Sequence, residues 1–437
     1  MLASTSRRAF ASVSSTATKA YSTAAAAQIS TAQNGIKVAA IEEPGQTAGL
    51  AVVVNGGSRF EPVQGVAHYL KNYGFKNNSE RTAFRITREA ELAGAVLSSN
   101  LTRESLVYSA EFLKGDAAQF AEVLGDVVTK QKFQEHEFVE VANHTAAESA
   151  NAAATPEVAA IEAAHRAAFR TGLGNSVFAS LHSHVSNADV KKYASEVFTD
   201  KRIALVGSGL SLDAVKQYAE TFFGGLQSAE SPLQATKYFG GETRVETSSD
   251  KSHFVLAFEG AALDSAEYAA LQVLRFALGG DKLVQYGAAS GLLGQSAAKL
   301  GEGVELKAFN FGYSDGGLFG VYASGASSQV SGAVAAAAEQ LKAAAKGLSE
   351  EEFKRAVAQA KFAATAGFET RLDRLETVGA QALRTGNFIS ASDVAAALEK
   401  VSTSDVAKAV EKLSSSKATS VALGDLINLP YADSVSL

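Results

Sequence analysis

Short apolar runs alternate along the chain with longer, alanine-rich stretches of helical periodicity. Residues 105–112, 253–258 and 318–323 are predicted to be half-buried strands. Further stretches are predicted to be helices: 116–132, 135–154, 188–198 and 211–222 in the first half, and 329–346, 349–366 and 403–414 in the second. Strands that alternate with long helices indicate an α+β fold with helices on one face of a sheet.

The second half of the chain repeats the first. Five segments recur in the same order: 52–57 with 255–260, 106–110 with 320–324, 137–140 with 352–355, 189–190 with 405–406, and 204–207 with 422–425. Five matches in order indicate a duplicated domain. We therefore predict two homologous domains, each an antiparallel-rich mixed sheet covered by helices, at 31–223 and 248–437. A glycine-containing segment, 224–247, is predicted to be an exposed linker between them.

The composition removes several classes of function. The 437 residues include no cysteine and no tryptophan, and the single methionine is Met1. Cysteine-held iron–sulfur clusters, zinc–thiolate sites and methionine ligation of haem are therefore excluded. A net charge of −6 argues against a nucleic-acid-binding protein. The longest uncharged stretch, 316–338, is long enough for a membrane span, but its glycines and serines favour a strand, a turn and a helix.

The N-terminus has the composition of a targeting segment. No acidic residue precedes Glu42, whereas Arg7, Arg8 and Lys19 lie among many serines, threonines and alanines. This pattern is typical of a mitochondrial transit peptide, and we predict that residues 1–30 form such a leader. Cleavage after Phe10 or after Tyr21 is left open, as is the alternative of a disordered tail without a targeting role.

One short helix carries the candidate chemistry. Residues 65–72 follow Pro62, which suits the first turn of a helix, and precede Gly74, which suits the position just past its end. His68 and Asn72 are four residues apart and so lie on one helix face.

The segment His68-Tyr69-Leu70-Lys71-Asn72 resembles the inverted zinc motif H-x-x-E-H of the pitrilysin-type peptidases. The surroundings are similar to that family as well. Matching segments are Phe75-Lys76, 92–95, Arg103-Glu104, 308–310 and 313–320. The resemblance covers nearly the whole chain after residue 30 and implies two pitrilysin-like domains.

The resemblance also implies which groups are missing. Lys71 stands at the position of the catalytic glutamate, Asn72 at that of the second histidine ligand, and Glu148 is the candidate for the third ligand. An ammonium group opposes a dication, and an amide is a poor zinc ligand. We therefore expect a degenerate metallopeptidase that is not an enzyme, with no catalytic, cofactor-binding or metal-binding residue and no cofactor.

Simpler interpretations apply to the remaining polar residues. We expect His68 to be a histidine at the surface or at the core edge of an amphipathic helix, and Glu148 to be solvated, with His144 as a partner one turn away. His182 and His184 are expected in a loop without a metal. The run 207–209 is predicted to be a turn and not a phosphate-binding loop.

The mitochondrial members of the family suggest two roles. The degenerate motif resembles the non-catalytic core proteins of ubiquinol–cytochrome c reductase, respiratory complex III. That resemblance implies a structural subunit in a dimeric complex with core protein 1, cytochrome b, cytochrome c1 and the iron–sulfur subunit. It implies a peripheral position on the matrix side of the mitochondrial inner membrane, with no membrane span and no nucleic acid. The alternative is the non-catalytic, presequence-binding subunit of the mitochondrial processing peptidase, whose glycine-rich loop would fall at 279–295.

Overall fold

The computed structural model describes residues 26–229, 234–280 and 290–435. The first half contributes strands β1 (Gln28–Thr31), β2 (Lys37–Ile41), β3 (Thr47–Val54), β4 (Val96–Leu101), β5 (Leu106–Leu113) and β6 (Ile203–Ser208). Its helices are α1 (Val66–Asn72), α2 (Ala83–Ala93), α3 (Ala117–Thr129), α4 (Glu135–Ala153), α5 (Pro156–Phe169), α6 (Asn187–Val197) and α7 (Leu212–Phe222).

The second half has a similar order of elements, but without a counterpart of β1, with five α-helices between its last two strands where the first half has four, and with no described α-helix after its last strand. Its strands are β7 (Gly241–Glu246), β8 (Lys251–Gly260), β9 (Glu305–Gly312), β10 (Gly317–Ala326) and β11 (Thr419–Gly424). Its helices are α8 (Ala266–Leu278), α9 (Gly291–Leu300), α10 (Ser327–Ala345), α11 (Glu350–Ala366), α12 (Arg371–Arg384), α13 (Ala391–Glu399) and α14 (Thr403–Ser415).

The two sheets have one topology. The first runs β1-β2-β6-β3-β5-β4 and the second β7-β11-β8-β10-β9, so that β2, β6, β3, β5 and β4 correspond to β7, β11, β8, β10 and β9. In each, one parallel pair joins a set of antiparallel strands. The predicted class, two homologous α+β domains with antiparallel-rich mixed sheets, is confirmed.

The predicted strand matches identify the right elements but are one residue out of phase. Val52 and Tyr108 face the helices of their own half, whereas their predicted counterparts Val255 and Tyr322 face a helix of the other half. The strands are buried on both faces and read as continuous apolar runs, so alternation cannot fix their phase. The helix match of Asp189 with Asp405 holds, since each is the third residue of a helix with a capping box.

Each sheet is covered on one face by a helix from the opposite half. Helix α5 packs on the second sheet, with Ala160, Ala164 and Ala168 against Val255 and Ala257. Helix α12, which holds the corresponding place in the repeat, packs on the first sheet through Leu375, Val378 and Ala382. The prediction of helices on one face only is therefore wrong. The halves exchange equivalent helices, and both faces of each sheet are covered.

Close approach of these helices depends on small residues. At Gly379 of α12, an added Cβ would lie 2.4 Å from Cγ2 of Val53 on β3. No side chain fits there without moving the sheet or the helix.

The hairpin joining β9 and β10 also contacts the first half. Arg59, nearly fully buried, donates from Nη1 to Glu104 at 2.7 Å and from Nη2 to Asp315 at 2.6 Å. The hydroxyl of Tyr313 lies 2.8 Å from Nε2 of His165 on α5. These contacts involve the segments 103–104 and 313–320 that the sequence singled out, and they tie the halves together.

Two predicted boundaries overlap regular structure. Strand β7 lies inside the segment 224–247 predicted as linker, and β1 begins inside the predicted leader. The rest of the leader, residues 1–25, lies outside the described residues. The domain bounds themselves stay a prediction. The uncharged stretch 316–338 forms β10 and the start of α10, as predicted. Among the described helices, none combines the length and the apolar character needed to cross a membrane.

Candidate functional site: a charged cluster between α1 and α4

Helix α1 starts later than the sequence predicts. Pro62 lies in the preceding loop, and the N-cap is Gly65, in the left-handed region at φ 91°. A Cβ on Gly65 would lie 2.7 Å from Cβ of Ala179, so glycine is required both by the backbone angle and by the close contact. Val66 and Leu70 are buried and fix the helix against the sheet. His68, Lys71 and Asn72 are thereby directed toward α4.

All three side chains converge on Glu148 of α4. Nε2 of His68 lies 2.7 Å from Oε2 of Glu148, and Nζ of Lys71 donates to Oε1 at 2.6 Å. Nδ2 of Asn72 donates to Oε2 at 2.8 Å and also to the hydroxyl of Thr145 at 2.9 Å. Burial raises the pKa of Glu148, but the hydrogen bonds from Lys71, Asn72 and His68 outweigh it and lower the pKa to about 2. Glu148 is thus an ion-paired carboxylate and not the solvated residue that we predicted.

The hydrogen bonds fix the tautomer of His68. The backbone N–H of Ala179 donates to Nδ1 at 3.1 Å, so Nδ1 carries no proton. Nε2 must then carry the proton and donate it to Glu148. Burial is the main cause that lowers the pKa of His68, which keeps the ring neutral near pH 7. The side chain of His68 is only 3% exposed, so it lies at the edge of the hydrophobic core.

This donor set does not suit a zinc ion. A histidine ligand offers an unprotonated nitrogen, and its other ring nitrogen usually donates to an acceptor. In His68 the nitrogen that faces Glu148 is protonated, and the other nitrogen accepts a hydrogen bond. Asn72 presents its NH2 group to Glu148, and the Lys71 ammonium lies against the carboxylate that a metal would need. In this cluster the positive charge beside Glu148 is the ammonium of Lys71.

A cleft of about 420 Å³ opens beside this cluster. One wall is the outermost strand of the first sheet, β4, through Asn100 and Leu101. The other wall is formed by α4, the start of α5, and Val177 and Phe178 of the loop that also provides the Ala179 amide.

Two members of the cluster were not predicted from the sequence. Thr145 and Ala179 act through a hydroxyl and a backbone amide, and neither lies in a recognisable pattern. Thr145 is one turn before Glu148, a spacing that could have suggested it.

The other residues that the sequence singled out make no short hydrogen bond to Glu148. His144 is exposed, with Nδ1 3.7 Å from Glu148. His182 and His184 are exposed in a loop, and in the described parts of the chain no three His, Cys, Asp or Glu residues are grouped to hold a metal. Gly209 forms a turn after β6 at φ 77°. Of the predicted glycine-rich region 279–295, residues 281–289 lie outside the described residues.

Two family models match the halves of the chain. The model described as insulinase (peptidase family M16) matches residues 37–180, and the one described as the peptidase M16 inactive domain matches residues 184–360.

Curated relatives match along almost the full length. Cytochrome b-c1 complex subunit 2, mitochondrial, from Cryptococcus neoformans is 37% identical over 93% of this chain and 94% of its own. The proteins of the same name are 34% identical in Neurospora crassa, over 100% of this chain and 95% of the relative, and 31% identical in Rattus norvegicus, over 92% and 90%. The duplicated fold and these matches show that the chain belongs to the M16 peptidase family and, within it, to the family of mitochondrial cytochrome b-c1 complex subunit 2.

Proposed function

We propose that the chain is a non-catalytic structural subunit of the mitochondrial cytochrome b-c1 complex, respiratory complex III, and supports its assembly and stability. The observation that carries this proposal is the ammonium of Lys71, 2.6 Å from Glu148 at the centre of the former metal site. A protonated amine cannot take a proton from water, so the cluster lacks a base as well as a metal. The M16 family model matched by the second half is itself described as inactive.

We also propose the partners of the chain and its location in the mitochondrion. The partners would be core protein 1, cytochrome b, cytochrome c1 and the iron–sulfur subunit of a dimeric complex. The position would be peripheral, on the matrix side of the inner membrane, after removal of a leader near residues 1–30. The names of the relatives and the basic, acid-free N-terminus support this location. The presequence-binding alternative gains no support, because the relatives reported above carry the b-c1 name.

The assembly role is tested with the full-length chain carrying a C-terminal tag in mitochondria. We expect the chain to migrate with cytochrome b and cytochrome c1 on a blue-native gel and to co-purify with both. N-terminal sequencing of the same sample locates the mature start. A chain found only as a small soluble dimer, in mitochondria with an assembled complex, would contradict the proposal.

The loss of metal binding is tested by metal content. The wild-type chain should contain almost no zinc after purification without chelator. The double variant Lys71→Glu/Asn72→His restores H-x-x-E-H together with Glu148 and should retain about one zinc ion per chain. The single variant Lys71→Met is the control, since it removes the ammonium without supplying ligands. Stoichiometric zinc in the wild-type chain would refute the argument from Lys71.

A further inference from the structure

Helix α5 ends in an unusual backbone turn. Its C-cap residue is Arg170, at φ 65° and ψ −56°. The amide of Thr171 donates to the carbonyl of Phe169 at 2.7 Å, which closes a three-residue γ-turn centred on Arg170. Such a turn is strained for any residue with a side chain, and an arginine held there points to a role for that side chain. After α12, the helix exchanged for α5, the left-handed residue is Gly386, as is common at helix ends.

The side chain of Arg170 lies on an aromatic ring that a second cation shares. Its Cζ is 4.3 Å from the ring centroid of Phe239, and Nζ of Lys237 is 5.2 Å from the same centroid. The amide of Phe239 donates to the carbonyl of Ala168 at 2.8 Å, which holds the ring beside the end of α5. Arg166 is exposed one turn before Arg170 on the same helix. Arg166, Arg170 and Lys237 therefore form a cationic cluster around one ring.

Comparable cations in two other places are paired within the chain. Arg88 lies 5.3 Å from the ring centroid of Phe84 and also donates to Glu91 at 2.8 Å. At the end of α12, Arg384 donates to Asp264 at 2.8 Å. The cationic cluster at the end of α5, by contrast, makes no ion pair with any residue that the structure describes. Like charges this close repel one another, and an anion from outside the chain would remove that repulsion.

We propose that the cationic cluster is a docking site for an acidic polypeptide segment of a partner. The guanidinium of Arg170 has one face on Phe239, so its edge is free to hold a carboxylate through two hydrogen bonds.

Two other kinds of anion fit the surface less well. The ring of Phe239 is half-buried and cannot enter a bilayer, which disfavours a lipid surface. The chain carries a net charge of −6, so a long polyanion such as a nucleic acid would be repelled beyond the cluster. A short acidic segment is attracted locally and escapes this repulsion. The inference concerns one local contact and holds independently of the proposed assembly role.

The experiment is a fluorescence-anisotropy titration of the full-length chain. The probe is a labelled decapeptide of alternating glutamate and serine, and its binding should be saturable and weaken with added salt. The double variant Arg166→Gln/Lys237→Gln loses two charge-assisted contacts and should bind the probe about tenfold more weakly. Arg88→Gln is the matched control, because it removes an exposed cation that lies on a ring but is already paired. It should bind as the wild type does.

Arg170→Gly separates docking from a structural role of the arginine. Glycine adopts the left-handed angle without strain, so this variant should melt at the wild-type temperature or above it. Its affinity for the probe should nevertheless fall about tenfold. A lower melting temperature with unchanged affinity would mean that Arg170 serves the fold alone, and would overturn the proposal.

Two further comparisons test the chemistry of the partner. A decapeptide with glutamine in place of glutamate should not bind, and vesicles of phosphatidylcholine and phosphatidylglycerol should not sediment with the chain. The proposal also fails if Arg166→Gln/Lys237→Gln binds the acidic peptide as tightly as Arg88→Gln does. It fails equally if the vesicles bind the wild type and not that double variant, since the site would then belong to a lipid surface.

Discussion

The cleft beside Glu148 in the first half and the groove at the corresponding place in the second half differ in size and in the residue at one matched helix position. Helices α4 and α11 follow N-caps at Gln134 and Ser349, and this spacing places Ala363 where the first half has Glu148. Ala363 lines a groove of about 1620 Å³, against about 420 Å³ for the cleft beside Glu148.

The difference shows that a half-buried carboxylate determines which side chains must surround it. The second half has Ala363 and no carboxylate at this position, so no cation is required there. The first half keeps Glu148, and a half-buried carboxylate without a cation is strongly unfavourable. Lys71, Asn72 and His68 supply that compensation through hydrogen bonds to Glu148.

The largest expected effect on stability comes from removing the ammonium group of Lys71 beside Glu148. Lys71→Met leaves Glu148 without its ion pair and should lower the free energy of unfolding by about 2–3 kcal/mol. The double variant Lys71→Met/Glu148→Met, which makes the first half resemble the second, should recover most of this loss. Urea denaturation of the three proteins tests this. A double variant no more stable than Lys71→Met would show that the charges do not compensate each other.

The second prediction concerns the close contact between helix α12 and the first sheet at Gly379. Gly379→Val forces a side chain into Val53 and should cost about 2 kcal/mol through overpacking. The control is Gly332→Ala on α10, where the nearest atom to an added Cβ is 3.8 Å away. It should stabilise the chain slightly, because alanine is a better helix former. Equal melting temperatures for the two variants would contradict the tight packing of α12.

Glu148 should contribute to the acid dependence of stability. The pKa of Glu148 is about 2 in the folded chain, below the value of about 4.3 for an unfolded glutamate. Its contribution is therefore fully present above pH 5 and is lost as the pH falls from about 4.3 toward 2. Because Glu148 is partly exposed, we expect a difference of about 1 kcal/mol between wild type and Glu148→Gln. This difference, measured by denaturation across pH 7 to 3, should shrink on acidification; a constant difference would rule out the ion pair as its source.

The smallest effect is expected in the second-half groove. There Nε2 of Gln272 donates to the hydroxyl of Tyr268 at 2.6 Å, with the spacing that His68 and Asn72 have on α1. Tyr268→Phe removes this neutral hydrogen bond and should cost about 0.5 kcal/mol. A loss in thermal-shift experiments as large as that of Lys71→Met would mean that the groove also contains a stabilising cluster.

The sequence predicts the elements and the duplication well, because both depend on local periodicity. Strand phase is lost where both faces are buried, as at Val52 and Val255, since no polar position marks a face. The exchange of α5 and α12 leaves no local sign either, because an apolar helix face does not show which of the two sheets it covers.

In the candidate site, too, the local sequence predicts the residues but not their contacts with distant elements. His68, Lys71 and Asn72 could be named from one short segment, and Glu148 from the resemblance to the family. What they do could not be predicted, because the partner of each side chain lies on another element. The tautomer of His68 depends on the amide of Ala179, more than a hundred residues away.

The exchange of helices also bears on how the chain reaches its final state. The outer face of the first sheet, with Val53 and Val206, is covered by Leu375, Val378 and Ala382 of α12. A ribosome or an import channel delivers that helix after more than 370 residues, so the first half cannot complete its fold while it is being delivered. Contacts between such distant segments form slowly, and the exposed sheet is prone to aggregation until they do. The chain should therefore depend on chaperones until its last quarter arrives.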